Sequence, residues 1–172
     1  MFASNDKLMH VFMTSSEDGM VKMWDRRQAK PAAQMASHTA GYGRQPFHSV
    51  STNHNLIAAG TNENILWWDV HSMSKPIGTF IESHNDDVTQ IATNEAGSIV
   101  ISCSIDNVLN MFDLTLRDAK QTQLQEDELI DGAYSSTQPL LDCGFLTNEI
   151  IWTQTSINTV EFVRLIDATM FL

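Results

Sequence analysis

Three stretches of this chain end alike at a fixed interval. SSEDGMVKMWD closes at Asp25, GTNENILWWD at Asp69 and CSIDNVLNMFD at Asp113. The ring residues just before them, Trp24, Trp68 and Phe112, stand 44 positions apart, and so do the polar residues six positions earlier, Asp18, Asn62 and Asp106. Two markers on one stride restrict the possible folds severely. A chain with such a period is a row of like supersecondary units, each burying an apolar face against its neighbour.

The segments between the markers read as short strands. HVFMTS (10–15), LIAAGT (56–61) and IVISCS (99–104) are compact, apolar and rich in β-branched or small residues. Each leads through a polar turn into an alternating run such as Met20-Val21-Lys22-Met23-Trp24. Asn94-Glu95-Ala96-Gly97, Asn53-His54-Asn55 and Asn5-Asp6-Lys7 supply turn chemistry before the second strand of three units. Prolines are expected between units (Pro31, Pro76, Pro139) or at a strand start (Pro46), where no central ladder bond is lost. No segment sustains a 3.6-residue period with caps. An all-β repeat architecture follows.

A 44-residue period with four short strands per unit and a closing Trp-Asp pair resembles the WD-repeat β-propeller family over nearly the whole chain. The resemblance implies a partial propeller of about three and a half to four four-stranded blades, an open arc and not a closed ring. The expected units are 1–36, 37–81, 82–124 and 132–172, with an acidic connector at 125–131 read as a mobile surface loop. A closed ring of seven blades at this length would need about 308 residues, so the chain is expected to be a fragment of a longer propeller. Met1 to Ser4 read as the tail of a first strand that is otherwise missing.

In that family a histidine, a Ser/Thr, a turn aspartate and a tryptophan of each blade form one buried network. Offsets from Asp106 place His84, Ser102 and Phe112 in those roles, with Phe112 keeping the ring and lacking the indole N–H. The first unit offers Thr14, Asp18 and Trp24. The second offers Trp68 with Asn62, Ala58 and an out-of-step His38. In the fourth, Asn158 falls in the turn, with Gln154 and Arg164 at the Ser/Thr and Trp positions and an insertion of eight most simply within QLQEDELIDGAYS. The set His84, Ser102 and Asp106 also has the composition of a hydrolytic triad. Burial of Ser102 in the network argues against that reading, so no enzyme and no catalytic residue is expected.

Composition narrows the partners. Ten basic against twenty-one acidic residues give a net charge of −11, which repels nucleic-acid phosphates and anionic lipids and attracts basic proteins. Neither direct nucleic acid nor membrane binding is expected. Cys103 and Cys143 have no CxxC companion and the six histidines show no metal spacing, so reduced core thiols and no metal or cofactor are anticipated. The first ten residues lack the apolar centre of a secretory peptide, and the expected location is the cytoplasm, the nucleus or both.

The resemblance implies a scaffold that holds other proteins, including the remaining blades of a longer chain, by its rim loops. Glu63, Asn85, Asp86 and Asp87 would then face a Lys/Arg-rich peptide. As an alternative, Phe12 to Arg27 is similar to the box by which some WD proteins dock onto the adaptor of cullin-RING ubiquitin ligases. There Trp24 and Asp25 lead to Arg27, which would reach an acidic partner surface.

Overall fold

The computed structural model describes residues 2–4 (backbone), 10–37, 44–53, 55–117 and 122–165. His38, His54, the GYG at 41–43 and the Asn5-Asp6-Lys7 turn lie outside the described residues. Among the described residues, fifteen strands fall into four antiparallel sheets that follow one another along the chain. The first sheet is β1 (Phe2–Ser4), β2 (Val11–Ser16), β3 (Met20–Asp25) and β4 (Ala33–Ala36). The second is β5 (Ser49–Thr52), β6 (Leu56–Gly60), β7 (Ile65–Asp69) and β8 (Gly78–Phe80). The third is β9 (Val88–Thr93), β10 (Ile99–Ser104), β11 (Val108–Asp113) and β12 (Ile130–Ser135). The fourth has, among the described residues, three strands, β13 (Leu140–Phe145), β14 (Ile150–Thr155) and β15 (Val160–Arg164).

The pleat sends successive side chains to opposite faces, so each inner sheet needs a neighbour on both sides. The Trp67–Trp68 pair shows this directly. Trp68 packs towards the first sheet with Met13, Val21, Met35, Phe47 and Ile57, while Trp67 packs towards the third with Phe80, Val88, Val100 and Phe112. Trp67 lies 5.3 Å from Phe80 and 6.2 Å from Phe112 between ring centroids, the latter edge to face. A third core, of Ile101, Cys103, Leu109, Met111, Leu140, Cys143 and Ile151, joins the third sheet to the fourth. Both cysteines are reduced and buried within it.

The innermost strands are also stitched by hydrogen bonds across the sheet boundaries. The Ser49 hydroxyl donates to Val88 O (3.1 Å), Ser51 Oγ meets Thr93 Oγ1 (2.8 Å), and the Thr89 hydroxyl donates to Leu140 O (2.9 Å). Gly60 permits the closest approach, because a Cβ there would sit 2.6 Å from Val88 Cγ1.

β1 stands where the tail of a first strand was expected and pairs Phe2, Ala3 and Ser4 with Thr14, Met13 and Phe12 at the inner edge of the first sheet. Other expectations need correcting. The expected connector 125–131 does not lie between units. It forms helix α1 (Glu126–Leu129), with Leu129 buried, and opens β12, the outer strand of the third sheet. The extra residues therefore separate β11 from β12, where 114–129 replaces the shorter 70–77 of the second sheet. Pro31 and Pro76 lie between the third and fourth strands of their own sheets.

Replacing Phe112 by Ala empties the centre of the core between the second and third sheets. The expected cost is about 3–5 kcal/mol of folding stability, read from urea denaturation of both chains.

Candidate interaction rim and the network beneath it

The turns between second and third strands and the loops from one sheet to the next lie at the same end of the sheets. The third sheet shows how they are held. Asp106 stands at the centre of the turn between β10 and β11, and its Oδ1 accepts from Val108 N (2.9 Å). Its Oδ2 accepts from Asn85 N (2.9 Å) and lies 3.2 Å from His84 Nδ1. A carboxylate only accepts, so Nδ1 is the donor. The other ring nitrogen, Nε2, is 2.7 Å from Ser102 Oγ. His84 and Ser102 are buried, so the set ties the incoming loop to strand β10. Burial pushes the Asp106 carboxyl up, but the bonds from His84, Asn85 and Val108 outweigh it and the net shift is downward. Phe112 is fully buried beneath, and Asn110, also buried, donates through its side-chain amide to Ser83 O.

The first sheet carries a reduced version. The Trp24 indole donates to Thr14 Oγ1 (2.9 Å), while Asp18 is exposed and accepts from Met20 N (3.0 Å) and Lys22 Nζ (3.2 Å). In the second sheet the turn between β6 and β7 holds four residues, 61–64, after the pair Gly60–Ile65. The first sheet has three, 17–19, after Ser16–Met20. One added residue reverses the facing, so Ala58 points with Trp67 towards the third sheet and Ala59 stands beside Trp68. Asn62 there is 3.0 Å from His48 Nε2, a contact the spacing rule did not include.

The fourth sheet is one residue out of the expected register. Asn158 has φ of 61° and its N–H donates to Thr155 O, as Gly19 (φ 74°) does to Ser16 O and Asn107 (φ 75°) to Ser104 O. The turn position equivalent to Asp18 and Asp106 is therefore Ile157, which is exposed. Thr153 and Val163 are buried at the Ser/Thr and ring positions, in place of Gln154 and the exposed Arg164.

Along the rim, Glu63, Asn85 and Asp86 are exposed and Asp87 is half-buried. His48 Nε2 lies 3.6 Å from Asp87 Oδ1 and so links the turn at Asn62 to the loop at Asp87. Ile105 N donates to Asp87 O (3.2 Å) and Ser104 Oγ to Asp86 O (3.1 Å), which fixes the same loop to the third sheet. These contacts set the turn 61–64, which carries Glu63, beside the loop that carries Asp86 and Asp87.

At the other end of the first sheet, Arg27 does not project free. Its Nε lies 2.9 Å from Asp25 Oδ1 and its Nη2 2.6 Å from Oδ2, with the side chain 68% exposed. The Arg27 side chain and then its backbone N–H (3.0 Å) hold the Asp25 carboxyl down at about 2.

The family profile described as "WD domain, G-beta repeat" matches residues 2–25 and 74–113. A WD repeat-containing protein of Arabidopsis thaliana is 28% identical over 159 residues, 88% of this chain and 38% of the relative. An uncharacterized WD repeat-containing protein of Saccharomyces cerevisiae is 30% identical over 165 residues, covering 92% and 39%. The WD repeat-containing protein 89 homolog of Dictyostelium discoideum is 25% identical over 137 residues, covering 79% and 34%. The chain thus spans under two-fifths of the length of these curated relatives. Among the described residues no helix is long and apolar enough to cross a membrane.

Folded-state pKa values below the ordinary 3.8 at Asp25 and Asp106 mean that both carboxylates add stability above about pH 4. That contribution is lost as pH falls, for Asp25 between 3.8 and about 2. The stability difference between the native chain and R27A is expected to be largest at neutral pH and to vanish towards pH 2. Thermal melts across that range measure it, and a pH-independent difference contradicts the assignment. The chain thus carries WD40 repeats at residues 2–25 and 74–113, and its four described sheets form an unclosed row consistent with part of a WD-repeat propeller.

Proposed function

We propose that the chain is a non-catalytic interaction platform that holds a Lys/Arg-rich segment of a protein partner along its acidic rim. WD-repeat proteins generally act as interaction scaffolds, and the partner class follows from charge. The observation that carries the reading is the turn with Glu63 set beside the loop with Asp86 and Asp87, both fixed from below by His48, His84 and Asp106. Rigid loops lose little freedom on binding, and clustered carboxylates steer a cationic segment to them. Asn85, exposed between them, adds a neutral hydrogen-bonding group. The His84–Ser102–Asp106 set is assigned to holding this rim, because His84 and Ser102 are buried, which keeps the hydroxyl away from any substrate. The compartment proposed is cytoplasmic or nuclear.

The test is a fluorescein-labelled peptide of alternating Lys/Arg and Gly/Ser, titrated by fluorescence anisotropy at two salt concentrations. Charge reversal of Glu63 and Asp86 to Lys is expected to weaken binding by about tenfold or more at low salt, with a smaller effect at high salt. Equal affinity for both chains removes the reading.

A second reading takes Trp24-Asp25-x-Arg27 as a docking element for a ubiquitin-ligase adaptor. It draws on the exposed guanidinium, which Asp25 holds in one orientation. R27A serves again here, since unaltered capture of the adaptor by that variant ends it.

A further inference from the structure

We propose that Ser83 is a phosphorylation site for an acid-directed serine kinase, and that its phosphate releases the segment 122–129 from the edge of the second sheet. Protein kinases choose acceptors in part by the charges flanking them. Two serines in the chain have a carboxylate three positions later, Ser15 before Asp18 and Ser83 before Asp86. Their settings differ. Ser15 is locked in β2 opposite Val21, with its hydroxyl buried. Ser83 lies in the loop between β8 and β9, outside any strand, with Ile81, Glu82, Asn85 and Asp86 exposed around it. Glu82 and Asp87 add carboxylates one position before and four after.

What the hydroxyl touches gives the modification its consequence. Ser83 Oγ donates to the carboxylate of Glu126, the first residue of α1. The same carboxylate accepts from Ile81 N (2.8 Å) and Glu82 N (3.2 Å). Leu124 N donates to Ile77 O (2.7 Å), and Leu124 and Leu129 are buried in the core with Trp67, Phe80 and Phe112. The segment 122–129 thereby covers β8, a three-residue edge strand, and Glu126 is its polar clasp.

In the transfer, Ser83 Oγ forms a bond to the γ-phosphorus of ATP as the bond to the β-phosphate oxygen breaks. ADP departs and the hydroxyl proton passes to the kinase base. The product brings a charge of about −2 against Glu126 and removes the O–H that Glu126 accepted. Phosphate and carboxylate then compete for the N–H groups of Ile81 and Glu82. The carboxylate is displaced and the clasp opens.

The experiment treats the whole 172-residue chain with ATP and a kinase of the casein kinase 2 type. Mass spectrometry locates the phosphate, and hydrogen exchange follows the amides of 122–129. The expected result is phosphate on Ser83, none on Ser15, and exchange over 122–129 faster by about tenfold. S83A treated identically keeps slow exchange there. An unmodified Ser83 in the folded chain overturns the site, and modified Ser83 with unchanged exchange over 122–129 overturns the release.

Discussion

Burial of ring side chains between consecutive sheets is the interaction on which the rest of this structure depends. A four-stranded sheet of this composition has two apolar faces, and water meets whichever one lacks a neighbour. Trp68 fills the boundary between the first and second sheets, and Trp67, Phe80 and Phe112 fill the next. Aromatic side chains suit the place because each removes a large area from water, and mutual edge contacts fix its angle. Trp24, Trp68 and Phe112 keep one stride of 44 residues, whereas the boundary between the third and fourth sheets is filled by aliphatic and sulfur side chains, with Val163 at the ring position.

Polar groups near these boundaries are organised around the packing. Hydroxyls on the innermost strands bond across to the next sheet, as Ser49 does to Val88 and Thr89 to Leu140. At the rim the buried imidazole of His84 joins a turn to the loop that precedes it, with Asp106 on one nitrogen and Ser102 on the other. A buried hydrogen-bonding group without a partner costs about 1–3 kcal/mol, so these bonds specify one loop conformation as well as stabilise it. Rigid acidic loops at the surface are thus a consequence of satisfied polar groups below. The chemistry of the rim and the stability of the sheets are one problem.

Much of this was legible in the sequence. Stride and strand positions follow from spacing, because those features repeat with the fold, and the meeting of His84, Ser102 and Asp106 is what the family resemblance implied. Features that break the repeat were not legible. One additional turn residue at 61–64 exchanges the facing of Ala58 and Ala59, because side-chain period in a strand is two. The fourth sheet lacks a turn aspartate, and Asn158 marks instead the left-handed position beside it. Acidic residues at 126–128 read as solvated loop, whereas Leu124 and Leu129 on either side are core residues that pull the segment against the second sheet. His48 carried no spacing signal at all. Its position on the loop into β5, opposite Asn62, arises only from the tertiary arrangement.

The central claim is that adjacent sheets are locked by ring-to-ring packing and do not merely lie side by side. A double-mutant cycle between Trp67 and Phe112, each replaced by Leu and followed by urea denaturation, measures that coupling directly. Their centroids lie 6.2 Å apart at 80°. The account predicts a coupling of about 0.5–1.5 kcal/mol beyond the separate losses. Strictly additive losses would show that ring-to-ring packing does not lock the two sheets together.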